Sequence, residues 1–85
     1  MKIQQLPPEL SSQAIKKIKS MNPADKLRIK EGIFGIPKGD IRRLEGAKGS
    51  FRLRVGKWRV LFSWVSDEQI LVEKIDSRGQ VYKGA

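Results

Sequence analysis

The sequence predicts an α+β fold with the element order β-α-α-β-β-β, in which an N-terminal helical hairpin packs on an antiparallel sheet. Three observations predict this fold. Apolar residues between positions 8 and 35 recur at a helical spacing. Between positions 51 and 75 they alternate with polar residues, as on strands that bury one face. The chain has only 85 residues, so we expect one domain over residues 1–85.

The N-terminal half predicts a short strand and two helices. Residues 2–6 form the strand, which Pro7-Pro8 stops, and the first helix begins at Pro8 because proline is tolerated at the first helical position. Asn22-Pro23 starts the second helix, which ends near Gly35. The residues expected to face the core are Leu10, Ala14, Ile15, Ile18 and Met21 in the first helix, and Ala24, Leu27 and Ile33 or Phe34 in the second.

Residues 37–50, which include Pro37 and three glycines, predict an irregular connection. Residues 51–55 and 58–65 then predict a β-hairpin that turns at Gly56-Lys57. Because a two-residue turn sets the register, the hairpin buries six apolar side chains on one face: Phe51, Leu53, Val55, Trp58, Val60 and Phe62.

The same register places three arginines on the opposite face. Arg54 lies directly opposite Arg59, and Arg52 lies opposite Leu61. Like charges directly across a ladder are destabilising, so nothing about folding requires this arrangement. Arginines on the solvent face of a strand are otherwise ordinary, and the same register leaves both tryptophans in the core. The pattern is what a rigid surface for a polyanion would need.

Residues 70–75 predict the last strand. A two-residue loop at Asp67-Glu68 would pair Arg59 with Asp76 and Leu61 with Lys74. This register leaves Glu73 on the core face, whereas a three-residue or bulged loop would reverse the facing of the strand.

Composition favours an anionic partner and excludes several classes of site. The net charge of +9 is spread along the chain, so it belongs to folded elements, and Lys16, Lys17 and Lys19 read as a solvated helix face. Without cysteine or histidine, the chain cannot form disulfides, thiolate zinc sites or a Ser-His-Asp triad. No apolar run of 18 residues or signal-peptide pattern occurs, so we expect a soluble cytoplasmic protein without membrane contact, cofactor, metal or small-molecule ligand.

Three segments carry a family resemblance: IRRLEG at residues 41–46, GSFRLRVGKWRVLF at residues 49–62 and IDSRGQVYK at residues 75–83. Together they resemble the RelE/ParE superfamily of type II toxins, and specifically its RelE-like mRNA interferase branch. The resemblance also covers the chain length, the element order and the two N-terminal helices, and it is most specific in the hairpin.

The resemblance implies a toxin that a cognate antitoxin protein neutralises. RelE-like members enter the ribosomal A site and cleave mRNA by transesterification, in which the 2′-OH attacks the adjacent phosphate without a metal ion. The chain is therefore expected to be an endoribonuclease whose partners are the ribosome and mRNA. Five residues match the functional positions of the family: Arg52, Arg54, Arg59, Arg78 and Tyr82.

One departure from the family pattern leaves alternatives open. Many relatives have histidine before the C-terminal arginine, whereas this chain has Asp76 and Ser77. Arginine holds its proton too tightly to be a good general base, so cleavage has to rest on charge stabilisation, or on Asp76 or Glu45 as base. The alternatives are a ParE-like toxin that inhibits DNA gyrase and a basic RNA- or ribosome-binding module.

Overall fold

The computed structural model describes residues 2–44 and 49–77. Two helices pack on one face of a five-stranded sheet of order β1-β5-β4-β3-β2, in which β1 is parallel to β5 and the other pairs are antiparallel. The elements are β1 (Glu9–Leu10), α1 (Ser12–Ser20), α2 (Pro23–Gly35), β2 (Asp40–Arg43), β3 (Ser50–Val55), β4 (Trp58–Trp64) and β5 (Ile70–Ser77). The predicted α+β class is confirmed, although the N-terminal strand and the number of strands differ from the prediction.

Side-chain caps set the start of both helices. The Asn22 side chain accepts a hydrogen bond from the backbone N–H of Asp25 at 2.8 Å, so α2 begins at Pro23 as predicted. The Ser11 hydroxyl accepts from the N–H of Ala14 at 3.1 Å and caps α1. The prediction that this helix begins at Pro8 was therefore wrong, because Glu9–Leu10 pairs with β5 instead.

The predicted strand over residues 2–6 was also wrong. The backbone N–H groups of Ile3, Gln5 and Leu6 donate to the carbonyl groups of Asp67 and Glu68 at 2.8–3.0 Å. These hydrogen bonds reach the turn before β5 and not a neighbouring strand, so the segment forms no ladder.

A strand lies within the segment that was predicted to be irregular. Asp40–Arg43 pairs with β3 over four residues and forms one edge of the sheet. Only one of its residues, Ile41, is apolar, so the segment lacks the alternation by which a strand is recognised in a sequence.

The core lies between the two helices and one face of the sheet. From α2 it takes Ile29 and Ile33, both at most 3% exposed, whereas Leu27 and Phe34 are more than half exposed. The predicted burial of Ala24 and Leu27 was wrong, and of the alternatives Ile33 and Phe34 the buried one is Ile33, because α2 presents the Ile29–Ile33 side to β3. Gly32 lies on this side, and a Cβ atom there would be 2.8 Å from Cγ2 of Val55.

The predicted hairpin register is confirmed at every pair between β3 and β4. The pairs of Arg59 with Asp76 and of Leu61 with Lys74 are confirmed too. Phe62 then pairs with Val72, so a β-bulge leaves Glu73 unpaired in the ladder and exposed. The predicted core position of Glu73 and the two-residue loop were both wrong, because Trp64 already pairs with Ile70.

Among the described residues, no helix is long and apolar enough to cross a membrane.

Candidate nucleic-acid interface

The face of the sheet that points away from the helices carries two rows of mostly charged side chains. The register places the residues of each row side by side across β2, β3, β4 and β5. The first row is Asp40, Arg54, Arg59 and Asp76, and the second row is Arg42, Arg52, Leu61 and Lys74. We call these two rows the arginine face. Its five cations exceed its two carboxylates, so the face has a net positive charge.

The arginine face is not a uniformly solvated surface. Arg59 is only 7% exposed and Arg52 only 9% exposed, whereas Arg54 is exposed. Arginine is almost never fully buried unless it is paired. The burial of Arg52 and Arg59 therefore needs an explanation that the sequence pattern alone does not provide.

The two buried guanidinium groups differ in their partners. Nη2 of Arg52 lies 3.5 Å from Oδ1 of Asp40. This contact is a weak ion pair between strands β3 and β2. Within the described residues, Nε of Arg52 and both Nε and Nη1 of Arg59 have no hydrogen-bond acceptor. A buried donor without an acceptor is costly, and a bound anion could supply the missing acceptor.

Asp76 lies directly opposite Arg59, but its carboxylate bonds elsewhere. Oδ1 of Asp76 accepts a hydrogen bond from the backbone N–H of Ser77 at 2.9 Å and lies 3.7 Å from Nζ of Lys17. Of the ion pairs within residues 2–44 and 49–77, none joins Asp76 to Arg59. Lys17, which the sequence pattern assigned to a solvated helix face, thus contacts this end of the first row.

The structure brings together three of the five predicted site residues, Arg52, Arg54 and Arg59. Arg78 and Tyr82 lie outside the described residues, and so does Glu45. Sequence reasoning missed Arg42 because it missed β2. The segment Asp40–Arg43 gives little signal of a strand, because its single apolar residue, Ile41, is too few to show an alternation.

A second feature lies on the helical side of the molecule. A groove of about 650 Å³ is formed by the N-terminal segment and both helices, and it is mainly apolar. The exposed side chains of Leu27 and Phe34 line it, and Lys26 and Lys30 are its only charged residues among those described. The other lining residues are Pro7, Pro8, Leu10, Ile18, Pro23 and Ile33.

A scan against protein-family models finds no match. A curated protein of Methanocaldococcus jannaschii, named "Putative toxin RelE1", is 34% identical over an 83-residue alignment. The alignment covers 88% of this chain and 92% of that protein. Similarity at this level over most of both chains establishes common family membership.

Solved structures show the same fold. The RelB-RelE antitoxin-toxin complex of Methanococcus jannaschii matches with a TM-score of 0.71 and 22% identity, covering 87% of this chain and 94% of that chain. The archaeal RelE-RelB complex of Pyrococcus horikoshii OT3 matches with a TM-score of 0.65 and 26% identity, covering 94% of this chain and 99% of that chain. The RelBE2 toxin-antitoxin complex of Mycobacterium tuberculosis matches with a TM-score of 0.64 and 22% identity, covering 84% of this chain and 95% of that chain. With the curated relative, these matches show that the chain belongs to the RelE family of toxins of toxin–antitoxin systems.

Proposed function

We propose that this chain is a ribosome-dependent mRNA endonuclease, the toxin of a type II toxin–antitoxin system, which cuts mRNA in the ribosomal A site and inhibits translation. The observation that carries the proposal is Arg59. Its guanidinium is buried and positioned by β4, and its Nε and Nη1 have no acceptor among the described residues. A phosphodiester group offers two charged oxygens with the spacing that guanidinium binds bidentately.

The reaction needs charge stabilisation more than it needs a strong base. The 2′-oxygen forms a bond to phosphorus, the bond from phosphorus to the 5′-oxygen breaks, and a 2′,3′-cyclic phosphate and a 5′-OH result. Water can take the proton of the 2′-OH and return one to the leaving oxygen. No arginine has to lose its proton. The protein contributes by holding the reacting groups in line and by stabilising the charge that develops on the phosphate.

The arginine face suggests a role for each residue. Arg59 holds the scissile phosphate, and Arg54, directly opposite on β3, adds a second cation that is exposed to the substrate. Arg52 lies in the second row, two residues before Arg54 on β3, so the Cα atoms of the two arginines are about 6.7 Å apart along the strand. At this spacing, Arg52 can contact a neighbouring phosphate. We assign stabilisation of the 5′-oxygen to Arg78 and stacking on a base to Tyr82, as the family resemblance implies.

The test is a cleavage assay on programmed ribosomes. Purified protein is added to stalled ribosomes that carry end-labelled mRNA, beside naked mRNA. We expect a cut in the A-site codon only when the ribosome is present. Arg59→Ala should reduce the rate constant of cleavage at least about 100-fold, the range seen when a preorganised charge-stabilising group is removed.

Arg28→Ala is the matched control, because Arg28 is an exposed arginine on α2, away from the arginine face. It should cleave at the wild-type rate. Equal losses in Arg59→Ala and Arg28→Ala would contradict a specific role for the arginine face. If folded wild-type protein leaves mRNA intact, the nuclease proposal is wrong, and a DNA supercoiling assay with gyrase then tests the ParE-like alternative.

We also propose that an antitoxin is the protein partner of this chain. The complexes named above contain RelB antitoxins beside RelE toxins. This chain offers such a partner two complementary surfaces: the arginine face for acidic side chains, and the apolar groove, which is flanked by Lys26 and Lys30, for an amphipathic segment with acidic flanks.

Co-expression with the antitoxin encoded beside the toxin gene tests this partner. Leu27→Asp should lower the amount of antitoxin that co-purifies with the toxin, because it places a charge in the groove. Bound antitoxin should also displace a labelled RNA oligonucleotide from the toxin. Independent, simultaneous binding of antitoxin and RNA would contradict coverage of the arginine face.

A further inference from the structure

Polar contacts dock α1 against the outer edge of β5. The Ser11 hydroxyl donates to the carbonyl of Glu73 at 2.7 Å. The Gln13 side chain then bonds twice to the backbone of Ile75: its Nε2 donates to the carbonyl at 2.9 Å, and its Oε1 accepts from the N–H at 3.0 Å. In this way, Gln13 satisfies the part of the β5 edge that β1 does not reach.

This docking determines where Lys17 lies. Lys17 is four residues after Gln13, so it lies on the same side of α1. The next residue of β5 after Ile75 is Asp76, and Nζ of Lys17 lies 3.7 Å from its Oδ1. The ion pair is partly shielded, with side-chain exposures of 32% for Lys17 and 19% for Asp76.

Asp76 therefore lies between two cations that compete for it. Its direct cross-strand neighbour is Arg59, and side chains at such positions have Cβ atoms only about 4.5–5.5 Å apart. Despite this proximity, the carboxylate forms an ion pair with Lys17 and accepts a hydrogen bond from the N–H of Ser77, while Nε and Nη1 of Arg59 have no acceptor within the described residues.

We infer that Lys17 is a positioning residue that holds the Asp76 carboxylate away from Arg59 and so keeps the Arg59 guanidinium available to a phosphate group of RNA. The inference rests on the proposed function for its consequence in cleavage, but the ion-pair competition itself does not. Without Lys17, the carboxylate has one neighbouring cation in place of two among residues 2–44 and 49–77, and rotation of its side chain brings it to Arg59. A carboxylate bound there occupies the donors that a phosphate would need.

The first test uses the protein without RNA. In 15N-labelled protein, the Nε–Hε resonance of Arg59 is assigned by its loss in Arg59→Lys. We expect Lys17→Met to shift this resonance downfield, as a new hydrogen bond to a carboxylate would. In the double variant with Lys17→Met and Asp76→Asn, the shift should be reversed, and Lys17→Arg should leave the resonance near its wild-type position.

Lys19→Met is the matched control, because Lys19 is an exposed lysine on the same helix. It should leave the Arg59 resonance unchanged. If Lys17→Met and Lys19→Met give the same spectrum at Arg59, or if Asp76→Asn does not reverse the shift in the double variant, the inference is wrong.

The second test is the cleavage assay on programmed ribosomes. Lys17→Met should slow cleavage about tenfold, the factor expected when a charge-assisted hydrogen bond must be broken before the phosphate binds. In the Asp76→Asn background, where the competing carboxylate is already absent, Lys17→Met should not slow cleavage further, which a merely structural role of Lys17 would not allow. A double variant that cleaves about tenfold more slowly than Asp76→Asn alone contradicts the inference.

The two tests separate the two claims. If the Arg59 resonance responds as expected but no protein, including the wild type, cuts mRNA, then the nuclease proposal fails and the competition for Asp76 stands. If the wild type cuts mRNA and Lys17→Met leaves both the resonance and the rate unchanged, then the nuclease proposal stands and the role of Lys17 is refuted.

Discussion

The two faces of the sheet follow opposite rules, although they are built from alternate residues of the same strands. On the core face, Leu53, Val60 and Ile75 lie side by side across three strands and are at most 2% exposed. On the arginine face, Arg54 and Arg59 lie side by side in the adjacent row, where their like charges repel.

This contrast between the two faces separates the residues that stabilise the fold from those that we propose to bind and cleave RNA. On the core face, the packing of Leu53, Val60 and Ile75 is explained by burial of apolar surface. By contrast, the buried donors of Arg59 are left without an acceptor in the described part of the chain, and this arrangement opposes folding. A feature that lowers stability on a rigid scaffold is expected where function requires it.

The largest expected change in stability comes from truncating a side chain of the core face. Phe62 is 1% exposed and stacks on Phe51 with 5.5 Å between ring centroids. Phe62→Ala should lower the free energy of unfolding by about 3–5 kcal/mol, because it removes buried apolar surface and leaves a cavity. Urea denaturation followed by circular dichroism measures this change. Leu61→Ala, at the neighbouring position on the arginine face, is the control and should cost much less, since Leu61 is only half-buried.

Replacing the buried Arg59 of the arginine face should instead raise the free energy of unfolding. Arg59→Met replaces a buried cation with an apolar side chain of similar length. It should raise the free energy of unfolding by about 1–2 kcal/mol, because the unpaired N–H groups no longer have to leave water. The same denaturation experiment measures it, with Arg59→Lys as the variant that keeps the charge. A loss of stability in Arg59→Met would show that Arg59 holds the fold together.

A smaller effect tests how closely α2 packs on the core face. Alanine usually stabilises a helix relative to glycine. At Gly32, however, a Cβ atom would be 2.8 Å from Val55, whose β-branched side chain is stiff and cannot easily move away. Gly32→Ala should therefore lower the free energy of unfolding by about 1 kcal/mol. Gly35→Ala is the matched control, since among the described residues no atom outside the local helix backbone would lie within 4 Å of its Cβ position, and thermal denaturation should find it at least as stable as the wild type.

The smallest effect concerns the repulsion within the first row. Arg54→Gln should raise the free energy of unfolding by a few tenths of a kcal/mol at low ionic strength, because it removes the like-charge pair with Arg59, whereas Asp40, on the other side of Arg54, forms its ion pair with Arg52. The gain should disappear in about 1 M salt, where charges are screened over a few ångströms. Denaturation at the two salt concentrations measures it. A gain that is independent of salt would have a cause other than charge repulsion.

Much of the fold could be predicted from the sequence where local chemistry determines it. The turn at Gly56-Lys57 sets the register of β3 and β4, so the position of Arg54 opposite Arg59 followed from the sequence and is confirmed. The start of α2 followed from Asn22-Pro23 in the same way. Other features depend on tertiary contacts that leave no local signal.

The β-bulge at Glu73 and the short strand β1 are features of this second kind. A charged Glu73 on the predicted core face indicated that the facing of the strand could change, but the sequence does not show that the extra residue lies within the strand and not in the loop before it. Residues 2–6 show apolar alternation, but their hydrogen bonds go to the turn before β5. For the candidate site, the sequence predicted which arginines share a face, but not that Arg52 and Arg59 are buried or that Lys17 contacts Asp76, because both depend on packing between elements distant in sequence.

The edge strand β2 has a consequence for how the protein behaves at high concentration. Its outer side has no partner strand within the described residues, so its backbone could pair with a second molecule and start aggregation. Three of its four residues, Asp40, Arg42 and Arg43, are charged, and charged side chains on an edge strand oppose the addition of a second strand. The opposite edge is protected differently, by the two-residue β1 and by the side chain of Gln13. Charge on one edge and coverage on the other thus protect the sheet from strand addition.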